Sequence, residues 1–147
     1  MNKKGFTLIE LLVVIAIIGL LSTLAVVALS SAREKARDSK RLSDLKQVQT
    51  ALELHYTDNS AYPEEPTAIT LGTDDYNCLN VDGFQATGCE NAYMGLVPAD
   101  PGTTSYTYLS ADGTNYTLTA TLEGTVSGLS GDIQATPSGI MVVPVAG

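Results

Sequence analysis

Beyond Lys46 the chain has no lysine or arginine, although twelve aspartates and glutamates lie between residues 47 and 147. Without cations to neutralise phosphates, that part of the chain is unsuited to nucleic-acid binding. Its uniform negative charge keeps exposed surfaces soluble and mutually repelling. His55 is the only histidine, and Cys78 and Cys89 are the only cysteines, with no CxxC between them. A His/Cys zinc site is therefore ruled out. No GxSxG, P-loop or other catalytic constellation is present, so neither enzymatic activity nor a cofactor is expected. His55 reads as a surface or packing residue rather than a general base. Proline is missing before Pro63, and Gly19 is the only glycine between Gly5 and Gly72. A long helix is thus free of breakers.

What fills that interval is an apolar run. From Phe6 to Leu29 the only charge is Glu10. The run is long enough to span a bilayer, which takes about 20 mostly apolar residues, and exceeds the roughly 7–15-residue core of a secretory signal. An ordinary signal cleaved near Ala28 or Ala32 is the competing reading, and Glu10 and the length both speak against it. A carboxylate in such a segment costs about 2.5–3.5 kcal/mol on insertion scales, so Glu10 needs a partner from outside the run.

Lys3-Lys4-Gly5-Phe6-Thr7-Leu8-Ile9-Glu10 followed by an apolar helix closely resembles the class III signal of type IV pilins and of type II secretion pseudopilins. The resemblance continues through Arg37–Leu45 to Tyr62-Pro63 and is looser beyond. It implies cleavage by a prepilin peptidase between Gly5 and Phe6, N-methylation of Phe6, and an assembly role for Glu10. Cutting there would remove Lys3 and Lys4 and create an α-ammonium one helical turn from Glu10. Between packed copies, such a pair in a low-dielectric core rewards one axial register and leaves others with an unpaired charge. Many pilins carry a proline partway along this helix; Val26-Val27 stands there instead, which argues for a straighter core.

Past Leu29 the pattern becomes amphipathic. Leu42, Leu45, Val48, Leu52 and Tyr56 mark one helical face, and Lys40, Asp44, Gln47 and Thr50 the solvent face. A continuous helix from Phe6 to about Tyr56 would be roughly 76 Å long. Arg33–Arg41 reads as a solvated, mixed-charge stretch with Glu34–Arg37 and Asp38–Arg41 at i,i+3. Contact with anionic lipid headgroups or with acidic patches of neighbouring subunits are the functional alternatives. Asp58–Pro63 ends the helix.

Residues from about Glu64 to Asp100 read as a long loop, with a short helical turn around Asn91–Leu96. Cys78 and Cys89 are expected to form a disulfide worth about 3 kcal/mol on the chain-entropy model, implying an oxidising compartment; two separate buried thiols are the alternative. Pro98-Ala99-Asp100-Pro101 resembles the P-x-D-P turn that precedes the first strand in many pseudopilins and related pilins. Ser105–Ser110 and Tyr116–Leu122 read as a hairpin around Asp112-Gly113, with Met141–Val143 as a third strand. Tyr106, Tyr108 and Tyr116 are expected to pack the sheet. Some pseudopilins bind calcium; Asp74, Asp75 and Asp82 are candidates here, without EF-hand spacing, and no metal is expected.

The expected organisation is a leader (1–5), a transmembrane or filament-core helix (6–29), its amphipathic continuation (30–57) and a disulfide-bearing head (58–147). The fold class is α+β and pilin-like, with the distal half of the helix packed on a small antiparallel sheet. The cations flanking the apolar run would place the head in the cytoplasm by simple counting; the leader, the cysteine pair and the lysine-free head outweigh that count. The function expected from the resemblance is a major pilin of a type IV pilus. A type II secretion pseudopilin is the alternative, and a membrane-anchored binding module that never polymerises is a third reading. The implied partners are further copies of the chain, prepilin peptidase, the inner-membrane assembly machinery and membrane lipid. The implied location is a single-pass cytoplasmic-membrane protein that becomes an extracellular or periplasmic filament.

Overall fold

A computed structural model describes residues 1–144. Its elements are α1 (Leu8–Asn59), β1 (Glu65–Thr70), β2 (Cys78–Asn80), β3 (Gly83–Gln85), a 3-10 turn (Cys89–Asn91), β4 (Thr107–Ser110), β5 (Thr117–Val126), β6 (Leu129–Thr136) and β7 (Gly139–Val142). The chain divides into two units, Met1–Glu34 and Lys35–Gly147.

The first unit is helical from Leu8 onward, and every residue in it up to Arg33 is solvent-exposed. Its leucines, isoleucines and valines cover the helix on all sides, as in a helix surrounded by lipid or by apolar partners rather than one seated on a core. By length and composition this helix is a candidate membrane span.

The second unit holds the core. Leu45, Val48, Ala51 and Leu52 of α1 are buried together with Tyr108 of β4, Leu118, Ala120 and Leu122 of β5, and Ile133 and Ala135 of β6. The strands form one antiparallel sheet in the order β1-β4-β5-β6-β7, with β2-β3 as a separate hairpin. Leu118, Ala120 and Leu122 alternate with threonines, so one face is apolar and the other polar, as a sheet with a single covered face requires. Tyr106, Tyr108 and Tyr116 are buried. Tyr108 donates from its hydroxyl to the Pro63 carbonyl at 2.8 Å, and its ring lies 4.9 Å from that of Phe84.

Several expectations are corrected. The stretch 64–100 is not a structureless loop: it contributes β1 to the sheet edge and the β2-β3 hairpin. Pro66 in β1 is compatible with an edge strand only, and the pairing is irregular between Glu65 and Ile69. The helical turn is at Cys89–Asn91, whereas Met94 bridges to Leu79. β6 was not expected, because Gly131 and Asp132 interrupt its alternation. Tyr56, assigned to the packed face, is 41% exposed, and Asp44, assigned to solvent, is 4% exposed. Asp44 is buried because Tyr106 Oη and Lys40 Nζ donate to it at 2.8 and 2.7 Å.

Candidate functional site

In the first unit, Gly5 and Phe6 lie exposed in a non-helical segment ahead of α1. Glu10 is in the first turn. Its Oε2 accepts the backbone N–H and the hydroxyl of Thr7, both at 2.8 Å, while its own N–H donates to Thr7 Oγ1 at 3.3 Å. Thr7-x-x-Glu10 is thus a reciprocal capping box that satisfies two of the donors left open at a helix start. The carboxylate is directed toward the chain's N-terminal side, where an α-ammonium at Phe6 would stand. Phe6, Ile9, Val13 and Val14 line a shallow apolar hollow together with Glu10.

In the second unit, the charged stretch read as solvated contains an ion-pair hub. Asp38 and Arg41 are each 1% exposed. Arg41 donates through Nε and Nη2 to both oxygens of Asp100 at 2.8 Å, and through Nη1 to Asp38 and Glu123 at 2.7 Å. Bidentate pairing of this kind fixes orientation as well as contributing energy. Arg37 clasps Glu123 from the other side through Nε and Nη2. Asp38 accepts the backbone N–H groups of Glu123 and Gly124 at 3.0 and 2.8 Å, where the β5-β6 pairing slips between Thr121 and Thr125. A helix, the P-x-D-P turn and an irregular strand are therefore joined through one guanidinium.

One glycine makes room for the guanidinium and another for the turn that carries Asp100. A methyl at Gly102 would lie 2.5 Å from Arg41 Nη2, and one at Gly72, whose φ is +71°, would lie 2.6 Å from Ala99 Cα. The electrostatics follow the geometry. Arg37, with Arg41 beside it, holds the Glu123 carboxyl down to about 2. Burial pushes Asp100 up, but the Arg41 guanidinium and the Gly102 N–H outweigh it, so Asp100 lies below the usual carboxylate range. Asp100 also holds Arg41 above its ordinary value, against the opposing effect of burial. Such a set is consumed by pairing, which suits a structural clamp rather than proton transfer.

Cys78 and Cys89 are joined in a disulfide with Cα atoms 5.8 Å apart. Among the described residues no group of three or more His, Cys, Asp or Glu side chains is placed to hold a metal ion, and Asp74, Asp75 and Asp82 form no such group. Of the sequence candidates, only Cys78 and Cys89 come together. Gly5, Phe6 and Glu10 all lie exposed at the N-terminal end, with Glu10 bonded to Thr7. The hub of Asp38, Arg41, Asp100 and Glu123 was missed, although Asp38–Arg41 spacing and the aspartate of the P-x-D-P turn were its visible signals.

Both parts of the chain match known protein families. Residues 1–26 match the prokaryotic N-terminal methylation motif, and residues 28–134 match the model of type II secretion system protein G. The type II secretion system core protein G of Klebsiella pneumoniae is 33% identical over 109 residues, covering 74% of this chain and 76% of the relative. That of Pectobacterium carotovorum subsp. carotovorum is 34% identical, covering 74% and 68%. That of Escherichia coli K12 is 34% identical, covering 71% and 70%. No solved structure matches the chain.

These matches overturn the expectation of a type IV pilus major pilin and favour the pseudopilin alternative. The leader and apolar helix serve both classes through the same membrane chemistry, so the first 26 residues do not separate them; residues 28–134 do. The chain belongs to the type II secretion system protein G family.

Proposed function

We propose that this chain is a structural, non-enzymatic pseudopilin: a membrane-anchored subunit that is cut between Gly5 and Phe6 and assembles into a periplasmic filament of a secretion apparatus. The match over residues 28–134 supports the secretion assignment, and the observation that carries anchoring and assembly is the 24-residue run Phe6–Leu29, apolar on every side and interrupted only by Glu10. Lipid covers that surface before assembly, and the same surface on neighbouring copies covers it afterwards. Transfer between the two is nearly neutral for the apolar groups, since lipid tails are as apolar as leucine. Pairing Glu10 with a neighbour's Phe6 ammonium removes a charge that costs about 2.5–3.5 kcal/mol in lipid. That pairing supplies both direction and register.

Prepilin peptidase and the inner-membrane assembly machinery are the further partners this reading calls for. The test is intact-mass analysis of the polypeptide from native membranes, together with cargo secretion by a strain lacking the chain. A polypeptide beginning at methylated Phe6, and a secretion defect repaired by the wild-type chain, are the expected results. A polypeptide still beginning at Met1, with secretion unchanged on deletion, contradicts the proposal and returns the chain to an anchored module.

A further inference from the structure

His55 takes no part in the ion-pair hub, yet it is 5% exposed. Its Nδ1 lies 2.8 Å from the Ala61 carbonyl oxygen and its Nε2 3.2 Å from the Val81 carbonyl oxygen. Both partners only accept hydrogen bonds. A neutral imidazole has one N–H, so it satisfies one carbonyl and turns a lone pair on the other; the protonated ring donates to both.

We propose that His55 is a proton-dependent clasp: charged, it fastens the disulfide-closed hairpin of β2 and β3 to the end of α1, and on losing its proton it releases the Val81 side. The longer Nε2 bond is the one that opens, leaving Nδ1–H on Ala61.

The groups around the ring are aromatic and acidic. Tyr93 packs edge-on at 5.6 Å and donates its hydroxyl to Asp58. Asp82 follows Val81 in the hairpin turn, and Tyr62, next to Ala61, donates to Glu53. The titratable groups bordering these contacts along the chain are Asp58, Asp82, Glu53 and the two tyrosines, and no lysine or arginine occurs in residues 47–147. His55 also sits one turn before the end of α1, whose last turn has no basic residue.

Opening stays local, because other bonds hold the base of the hairpin. Leu79 and Met94 exchange backbone bonds at 2.9 and 3.1 Å, and Val97 N–H donates to the Asn77 carbonyl at 2.6 Å.

The experiment is hydrogen exchange of the full chain in detergent micelles, corrected for intrinsic rates, at about pH 5 and about pH 8. Amides around Val81 are expected to open about fivefold more often at the higher pH, as loss of one hydrogen bond implies. In His55→Gln, whose amide does not titrate, the ratio should fall to one. A wild-type hairpin equally protected at both pH values, or a pH dependence that survives in His55→Gln, overturns the proposal. If that variant does not fold, imidazole ¹⁵N spectra of the wild type decide. Hairpin protection must follow the appearance of N–H on both ring nitrogens, and protection changing at a different pH is a contrary result.

Discussion

The two halves of α1 share one backbone and differ in almost everything else. From Leu8 to Arg33 no side chain is buried, and apolar residues occupy every side of the helix. From Lys35 onward one face is buried, and the side chains it buries include Asp38, Arg41, Asp44 and His55 as well as leucine and valine. Up to Ala32 the first half keeps charge out except at Glu10. The second buries charge and matches each buried group to a partner. Solvent explains the contrast. A segment meant for lipid and then for its own copies must be apolar all round. A segment that anchors a small domain can use buried ion pairs to fix which strand and which turn it meets.

That contrast can be broken most severely at Arg41. Arg41→Ala strands Asp38, Asp100 and Glu123 without their common partner, and removal of one member of a buried pair costs about 3–5 kcal/mol. Thermal unfolding of the head in micelles should shift by that amount, with membrane insertion unchanged. Replacing Cys78 and Cys89 with serine is expected to cost about 3 kcal/mol on the loop-entropy model, read by the same melting experiment. Reductant should lower the wild type to the same level.

Acid sharpens the comparison without mutation. Glu123 is held at about 2 by Arg37 and Arg41, and Asp100 is also lowered. A depressed carboxylate stabilises the fold fully above its ordinary value near 4.5 and loses that effect as pH falls toward its folded value. Head stability should therefore hold above about pH 5 and decline between roughly pH 4.5 and 2. Helicity of residues 8–34 should be unaffected in that range. The smallest effect is Tyr106→Phe, which removes one donor to buried Asp44 and is expected to cost about 1–3 kcal/mol by denaturant titration. Lys40 still pairs with that carboxylate, so the lower end of the range is predicted.

How much of this was legible follows from how far apart the partners lie in the chain. α1 could be read because local periodicity and the absence of breakers define it, whereas the capping of its start by Thr7 and Glu10 was not foreseen. The disulfide could be read because Cys78 and Cys89 leave no other partner. The hub could not be read, since Arg41 meets Asp100 and Glu123 across 59 and 82 residues, and local spacing suggested a solvated face. Asp44 was misplaced for the same reason, its buried donor being Tyr106. β6 was hidden by Gly131 and Asp132, and β1 by Pro66, each of which weakens the alternation that marks a strand. The choice between pilus and pseudopilus was misread because the opening motif carries the chemistry of anchoring and assembly common to both.

The central claim is that the exposed apolar helix is covered first by lipid and then by copies of itself, with Glu10 selecting the register. Its most direct test is polymer recovery from cells carrying Glu10→Leu, measured beside membrane insertion and head stability. The account predicts full insertion, an unchanged melting profile and loss of recoverable polymer. Wild-type amounts of polymer from Glu10→Leu would contradict it.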